Sequence, residues 1–310
     1  MARMRPKRYR RAMRRLLFAI ALLAAPAFAV ERGLLVLQTD YGTKDQAVAA
    51  LRGVARSVDR DLVIDDLTHE IPAFDIFAGS YRLNAVIDYW PKDTVFVSVV
   101  DPGVGTERRS IVARFKTGQL LVTPDNGTLT LIADRLGVDA IRTIDESRNR
   151  LPGSEGSYTF HGRDIYAYVG ARLASGRLRF EDVGPLQPDW VRLEYAHPAR
   201  IDGGVAGGVP VLDPQFGNVW TNIPAALAGE AGLVVGRTFD VVVRDAEREH
   251  YRGRVPFVRT FGDVALGAPL LYVDSVGTLA LALNRGNFAA TYSIAPGSDT
   301  HIEIRAARGE

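Results

Sequence analysis

Between Val30 and Asp189, short apolar runs rich in β-branched residues alternate with segments whose apolar residues recur at helical spacing. Leu34–Thr39 (LLVLQT) reads as a buried strand, and Ala47, Val48, Leu51, Val54, Ala55 and Val58 then mark one face of a helix. Leu62–Leu67 is the next strand, followed by a helix over Asp75–Tyr89 with Asp75 as its N-cap. Val95–Val100, Ile111–Phe115 and Leu120–Pro124 complete the predicted strands, and Thr128–Leu136 and Asp164–Ala174 the helices. Such alternation specifies an α/β domain built on a largely parallel sheet.

From about Trp190 the texture changes. Turn residues separate short β-rich runs at Val209–Leu212, Phe239–Val243, Val255–Arg259, Leu270–Val273 and Thr291–Ile294. Residues 190–310 therefore read as a second, all-β, barrel-like domain, after an α/β domain over residues 30–189. Residues 1–29 stand apart. Eight basic residues (Arg3, Arg5, Lys7, Arg8, Arg10, Arg11, Arg14, Arg15) precede the apolar run Leu16–Ala25, and Ala27-Phe28-Ala29 supplies a small-x-small cleavage site. This is the layout of a secretory signal, so the expected location is periplasmic or extracellular, with no membrane contact after cleavage.

Removing the leader reverses the charge. The 38 basic and 36 acidic residues of the whole chain become 30 against 36 once those eight are subtracted. An acidic mature chain gives no support to nucleic-acid binding. No cysteine is present and all three methionines lie in the leader, which excludes disulfides, thiolate metal sites and cysteine nucleophiles.

Four acids fall at or just beyond predicted strand ends: Asp40, Asp66, Asp101 and Asp125. Acids in that position can hold a metal ion or a ribose diol, or simply cap turns; Asp66 fits the last role best. Around Asp101 the sequence reads SVVDPGVGTERR, so Pro102, Gly103 and Gly105 fold the chain back and Arg108 returns seven residues after the acid. An Asp–Arg pair here either staples the turn or positions polar groups beyond the strand end. His161, in YTFHGRD at a helix entrance, is either structural or placed over a pocket. His69, His197, His250 and His301 lack metal-ligand spacing. There is no GxxxxGK[ST] loop, no GxGxxG after a parallel strand and no GxSxG elbow. In the second domain, DPQFGNVWTN (Asp213–Asn222) supplies an acid, an amide and two aromatics, or else an ordinary Asp/Asn/Gly turn.

Taken together and in order, QTDYGTKDQAVAALRG, HEIPAFDI, VVDPGVGTERR, TPDNGTL, YTFHGRD, DPQFGNVWTN and DSVGTLALALNRGN resemble the S-adenosylmethionine hydroxide adenosyltransferases, relatives of the fluorinase and chlorinase. The resemblance implies an α/β domain joined to a β-barrel, a homotrimer with sites between subunits, and hydrolysis of S-adenosylmethionine to adenosine and methionine without a cofactor or metal. It carries an Asp–Arg–His catalytic triad onto Asp101, Arg108 and His161. It also implies that Asp40 holds the ribose, Phe74 packs against the ribose or sulfonium, and Asn218 reads adenine. Asp213 and Ser275, with Phe216 close by, would take the methionine end. Two positions depart from the family pattern: Tyr41, where Phe is common, and Val276, where the fluorinase has an arginine. A nucleoside-binding protein without turnover, a halogenase and a metal-dependent hydrolase are the competing readings.

Overall fold

Strand β1 (Leu34–Thr39) alternates its side chains between two apolar layers, and that alternation organises the first half of the molecule. Leu35 and Leu37 enter one layer while Val36 enters the other. In this computed structural model, which describes residues 33–307, β1 lies in a six-stranded sheet with β2 (Val63–Thr68), β3 (Val95–Val99), β4 (Ser110–Phe115), β5 (Leu120–Pro124) and β6 (Val138–Thr143). The order is β2-β1-β3-β5-β4-β6; the first four strands are parallel, and β4 runs antiparallel to both β5 and β6.

Helices cover both faces, as a buried parallel sheet requires. On one face lie α1 (Ala47–Val58) and α5 (Tyr168–Ala174); on the other lie α2 (Ile76–Val86) and α3 (Thr130–Leu136), with the short α4 (Glu146–Asn149) in the chain between α3 and α5. As expected, the Asp75 side chain caps α2 by accepting from the Ala78 amide at 2.8 Å. Gly170 allows α5 to press onto β3, since a Cβ there would collide with Val97.

The C-terminal half holds two antiparallel sheets. The smaller, ordered β13-β14-β10-β9, contains β9 (Val211–Leu212), β10 (Val219–Pro224), β13 (Pro269–Val273) and β14 (Thr278–Leu283). The larger, ordered β12-β11-β15-β8-β7, contains β7 (Ala199–Ile201), β8 (Gly204–Val209), β11 (Thr238–Arg244), β12 (Glu249–Pro256) and β15 (Gly297–Ala306). They share one core, in which Val205, Val241, Val255 and Ile304 meet Val219, Leu271 and Leu281. Two short helices, α6 (Ala225–Glu230) and α7 (Phe288–Tyr292), complete this half.

One expectation fails. Thr291–Ile294 is not a strand: α7 runs through Tyr292 and Ser293 turns left-handed at φ 55°. Asn287 caps the helix by accepting from the Ala290 amide, and Phe288 and Tyr292 lock against Tyr251 at ring separations of 4.7–4.9 Å. Cap and aromatic packing together override the β propensity of a Thr-Tyr-Ser-Ile run. The sequence reading of residues 1–29 lies outside the described residues.

Candidate active site

Parallel strands β1 and β3 are neighbours in register, Thr39 opposite Val99, so the chain just past each emerges at the same edge of the sheet. Asp40 and Asp101 therefore line one cavity of about 300 Å³, with Tyr41, Phe74, Val104 and Phe160. Asp40 accepts from the Phe74 amide at 3.0 Å. That bond helps hold Phe74 at φ 68°, a left-handed conformation costly for a bulky residue, with the residue 69% exposed at the cavity mouth.

After Asp101 the chain turns tightly, through Val104 N–H to Asp101 O and Thr106 N–H to Gly103 O, with Gly105 at φ 78°. The turn returns Arg108 to the acid. Its Nε and Nη2 donate to the two Asp101 oxygens at 2.9 and 2.5 Å, a fork-on-carboxylate pair that fixes both groups. Burial opposes the guanidinium charge, but the Asp101 bonds prevail and the Arg108 pKa is raised. The other strand-end acids serve structure. Asp66 pairs with Arg52 and His69, and Asp125 with Arg109 while accepting from the Val191 amide.

His161 arrives from the opposite direction. The helix predicted from Asp164 begins earlier, as a single π-helical stretch over Gly162–Ala167 that runs directly into α5, and His161 sits at its N-cap. Such wide turns recur at functional sites. Gly162 leaves room here for the Tyr41 hydroxyl, which a Cβ would overlap. His161 is 4% exposed, and its Nδ1 lies 3.0 Å from Arg108 Nη2. Asp101, Arg108 and His161, spread over 60 positions of sequence, thus form one contact chain.

Three further residues, none singled out by sequence, close that chain into a ring, and a fourth, Tyr166, joins it at Ser110. Arg108 Nη1 donates to Ser110 Oγ at 3.0 Å, and Ser110 Oγ donates to Glu146 at 3.1 Å. Glu146 accepts from Arg150 at 3.2 Å, and the same Arg150 nitrogen lies 3.3 Å from His161 Nε2. With its one proton given to Glu146, the Ser110 hydroxyl receives a bond from Tyr166, 3.2 Å away. Burial pushes the Tyr166 phenol well above its ordinary pKa, so it remains a donor. The His161 pKa is lowered, first by burial and then by Arg108, with Arg150 adding to the effect and Glu146 and Asp101 opposing it. Burial and the two arginines thus favour the uncharged imidazole. The only sequence signal for this ring was the Glu146/Arg150 spacing of four.

Asp213, Phe216, Asn218 and Ser275 gather elsewhere, around a second cavity of about 1060 Å³ that shares no lining residue with the first. Asp213 organises its turn, accepting from the Gln215 and Phe216 amides and from the Asn218 side chain. Asn218 is buried and Phe216 is 63% exposed. Val276 borders a third cavity, with Tyr81 and Thr278. Among the described residues, no group of three or more His, Asp or Glu side chains is arranged to hold a metal ion.

Models of the two domains of the SAM hydroxide adenosyltransferases match this chain, the N-terminal one over residues 35–184 and the C-terminal one over 207–301. The chain belongs to that family. It is 39% identical over 267 residues to the (R)-S-adenosyl-L-methionine hydrolase of Salinispora tropica, covering 85% of this chain and 95% of that one. A fluorinase from an Actinoplanes species is 28% identical over 290 residues, covering 85% and 95%. Among solved structures, an uncharacterized conserved protein from Thermotoga maritima matches with a TM-score of 0.80 and 36% identity, over 88% of this chain and all of that one. Membership accounts for the arrangement of a largely parallel sheet followed by antiparallel ones.

Proposed function

We propose that this adenosyltransferase-family chain hydrolyses S-adenosyl-L-methionine to adenosine and L-methionine, with water attacking the ribose 5′ carbon. The observation that supports it is Arg108 bridging Asp101 and His161 at the edge of the Asp40 cavity. A sulfonium leaves readily, so the protein's task is to align the substrate and activate a water. Alignment alone can contribute about 7–11 kcal/mol. Bulk water has a pKa of about 15.7, so the attacking oxygen needs donors where its negative charge develops and an acceptor for its proton. Arg108 offers the donors, the neutral His161 ring offers a lone pair, and Asp101 holds Arg108 in place. Asp40 is suited to accept from the two ribose hydroxyls, and Phe74 to cover the sugar.

The second cavity suits the rest of the substrate, with Asn218 for adenine and Asp213, Ser275 and Phe216 for the amino-acid end. We propose that the two cavities are halves of one site, joined between copies in a homotrimer. The exposed Phe74 and Phe216 rings support this, as both stand at cavity mouths where a second chain would cover them. We also propose that residues 1–29 export the protein, so that it works outside the cytosol.

Incubating the purified protein with S-adenosylmethionine in ¹⁸O-water and separating the products tests the reaction. Equimolar methionine and adenosine carrying ¹⁸O at its 5′ hydroxyl are expected. Adenosine binding without turnover would overturn the reading in favour of a binding protein, and chloride-dependent 5′-chloro-5′-deoxyadenosine in favour of a halogenase. Sedimentation of the same sample tests the trimer, and N-terminal sequencing of exported protein tests cleavage after Ala29.

A further inference from the structure

Arg150 is the least explained charged group near the hydrolytic centre. Its side chain is only 8% exposed, and its Nη1 is buried with no hydrogen-bond partner. Stranding a donor of a buried guanidinium is costly, so structural stability alone is a poor account of it. Its position is nonetheless well fixed. Glu146 holds one nitrogen, the Tyr158 ring lies 4.9 Å beneath the guanidinium, and the following residue, Leu151, donates its amide to Asp164 O at 2.8 Å. That last bond ties Arg150 to the turn that carries His161.

Hydrogen-bond chemistry defines what Arg150 does there. A neutral imidazole has one lone pair and one N–H, whereas a guanidinium has only donors. His161 meets Arg108 at Nδ1 and Arg150 at Nε2, so a donor faces each ring nitrogen. A second proton on the ring would set N–H against N–H on both sides and add a third positive charge to the cluster. The other charged or titratable groups near the ring are Asp101 from the β3–β4 turn, Glu146 on α4, Tyr158 on its own segment, Tyr166 behind Ser110, and Tyr41 against Gly162.

We propose that Arg150, backed by Glu146, is a positioning residue of the hydrolytic centre that keeps His161 uncharged during turnover. The proposal rests on the hydrolase reading for its role in turnover, though its effect on His161 is measurable without substrate. Removing the Arg150 charge makes His161 easier to protonate, and removing the Glu146 charge makes it harder.

The test uses the full chain with ¹³C-labelled histidine, the His161 signal being identified by its loss in His161→Asn. In Arg150→Gln the His161 titration midpoint moves up by about one pH unit, and the acid limb of the kcat profile moves with it. Well below both midpoints kcat then falls toward a limit of about tenfold relative to wild type, while at pH 8.5 it is nearly unchanged. Arg150→Lys retains the wild-type midpoint, and Glu146→Gln moves it down, which keeps the proposal testable if Arg150→Gln folds poorly. A His161 midpoint unmoved in both Arg150→Gln and Glu146→Gln would overturn it, as would a loss of kcat equal at every pH. Should wild-type protein fail to hydrolyse S-adenosylmethionine, the titrations still decide the point.

Discussion

The edge of the parallel sheet and the cavity of the antiparallel half are built on opposite plans. At the sheet edge, side chains bond one another: Asp101, Arg108, Ser110, Glu146, Arg150 and His161 form a network set before any ligand arrives, with Arg150 Nη1 left over. In the second cavity, Asp213 is occupied with its own turn and Phe216 stands in solvent. The first plan suits chemistry, where a displaced charge costs the most, and the second suits recognition, where an open turn can close on a ligand or another chain. Substitutions in the two regions should therefore separate kcat from KM.

The largest expected effect is at the sheet edge. Arg108→Ala or His161→Ala should lower kcat by about 10²–10³-fold with little change in KM, as for loss of a preorganised donor; steady-state kinetics showing full turnover in both variants would break the contrast. In the other cavity, Asn218→Ala should raise KM by about tenfold, the value of a buried hydrogen bond of roughly 1.4 kcal/mol, with kcat largely retained. A kcat loss as large as that of Arg108→Ala would merge the two regions into one functional unit. Gly162→Ala must push Tyr41 aside and should cost about 1–3 kcal/mol of stability, read as a lower denaturant midpoint.

The smallest effect concerns pH and stability. The folded-state pKa of His161 lies below its ordinary value near 6.5. As pH drops below 6.5 the unfolded chain takes up the proton first, and stability falls until the folded value is passed. His69, lowered by burial and by Arg52, acts in the same direction. Denaturation at pH 7 and pH 5 should show a smaller acid loss in His161→Asn than in wild type.

The parallel sheet was legible because a strand covered on both faces is apolar throughout, and its acids stood out at the ends of such runs. β12 and β15 were harder to see. In β12, Tyr251 and Val255 point inward while Glu249, Arg252 and Arg254 face solvent, so the apolar signal is halved; β15 hides Ile302 and Ile304 between polar neighbours in the same way. At the site, Asp101 and Arg108 were legible as a pair because one tight turn joins them. Their meeting with His161 depends on how α5 packs over β3, which no local pattern encodes, and only the family resemblance anticipated it. Ser110, Glu146, Arg150 and Tyr166 stayed hidden because each looks like an ordinary surface or core residue until the ring closes.

That ring has a consequence for a substrate that is itself a cation. Arg108 and Arg150 bring two positive charges, and Asp101 and Glu146 bring two negative ones. With a neutral His161 the cluster sums to zero, and Asp40 at the cavity beside it leaves the approach slightly negative. A sulfonium can therefore come close to two arginines without meeting a net repulsion. One extra proton on the imidazole would cancel that neutrality, so acid would hinder both the entry of S-adenosylmethionine and the activation of water.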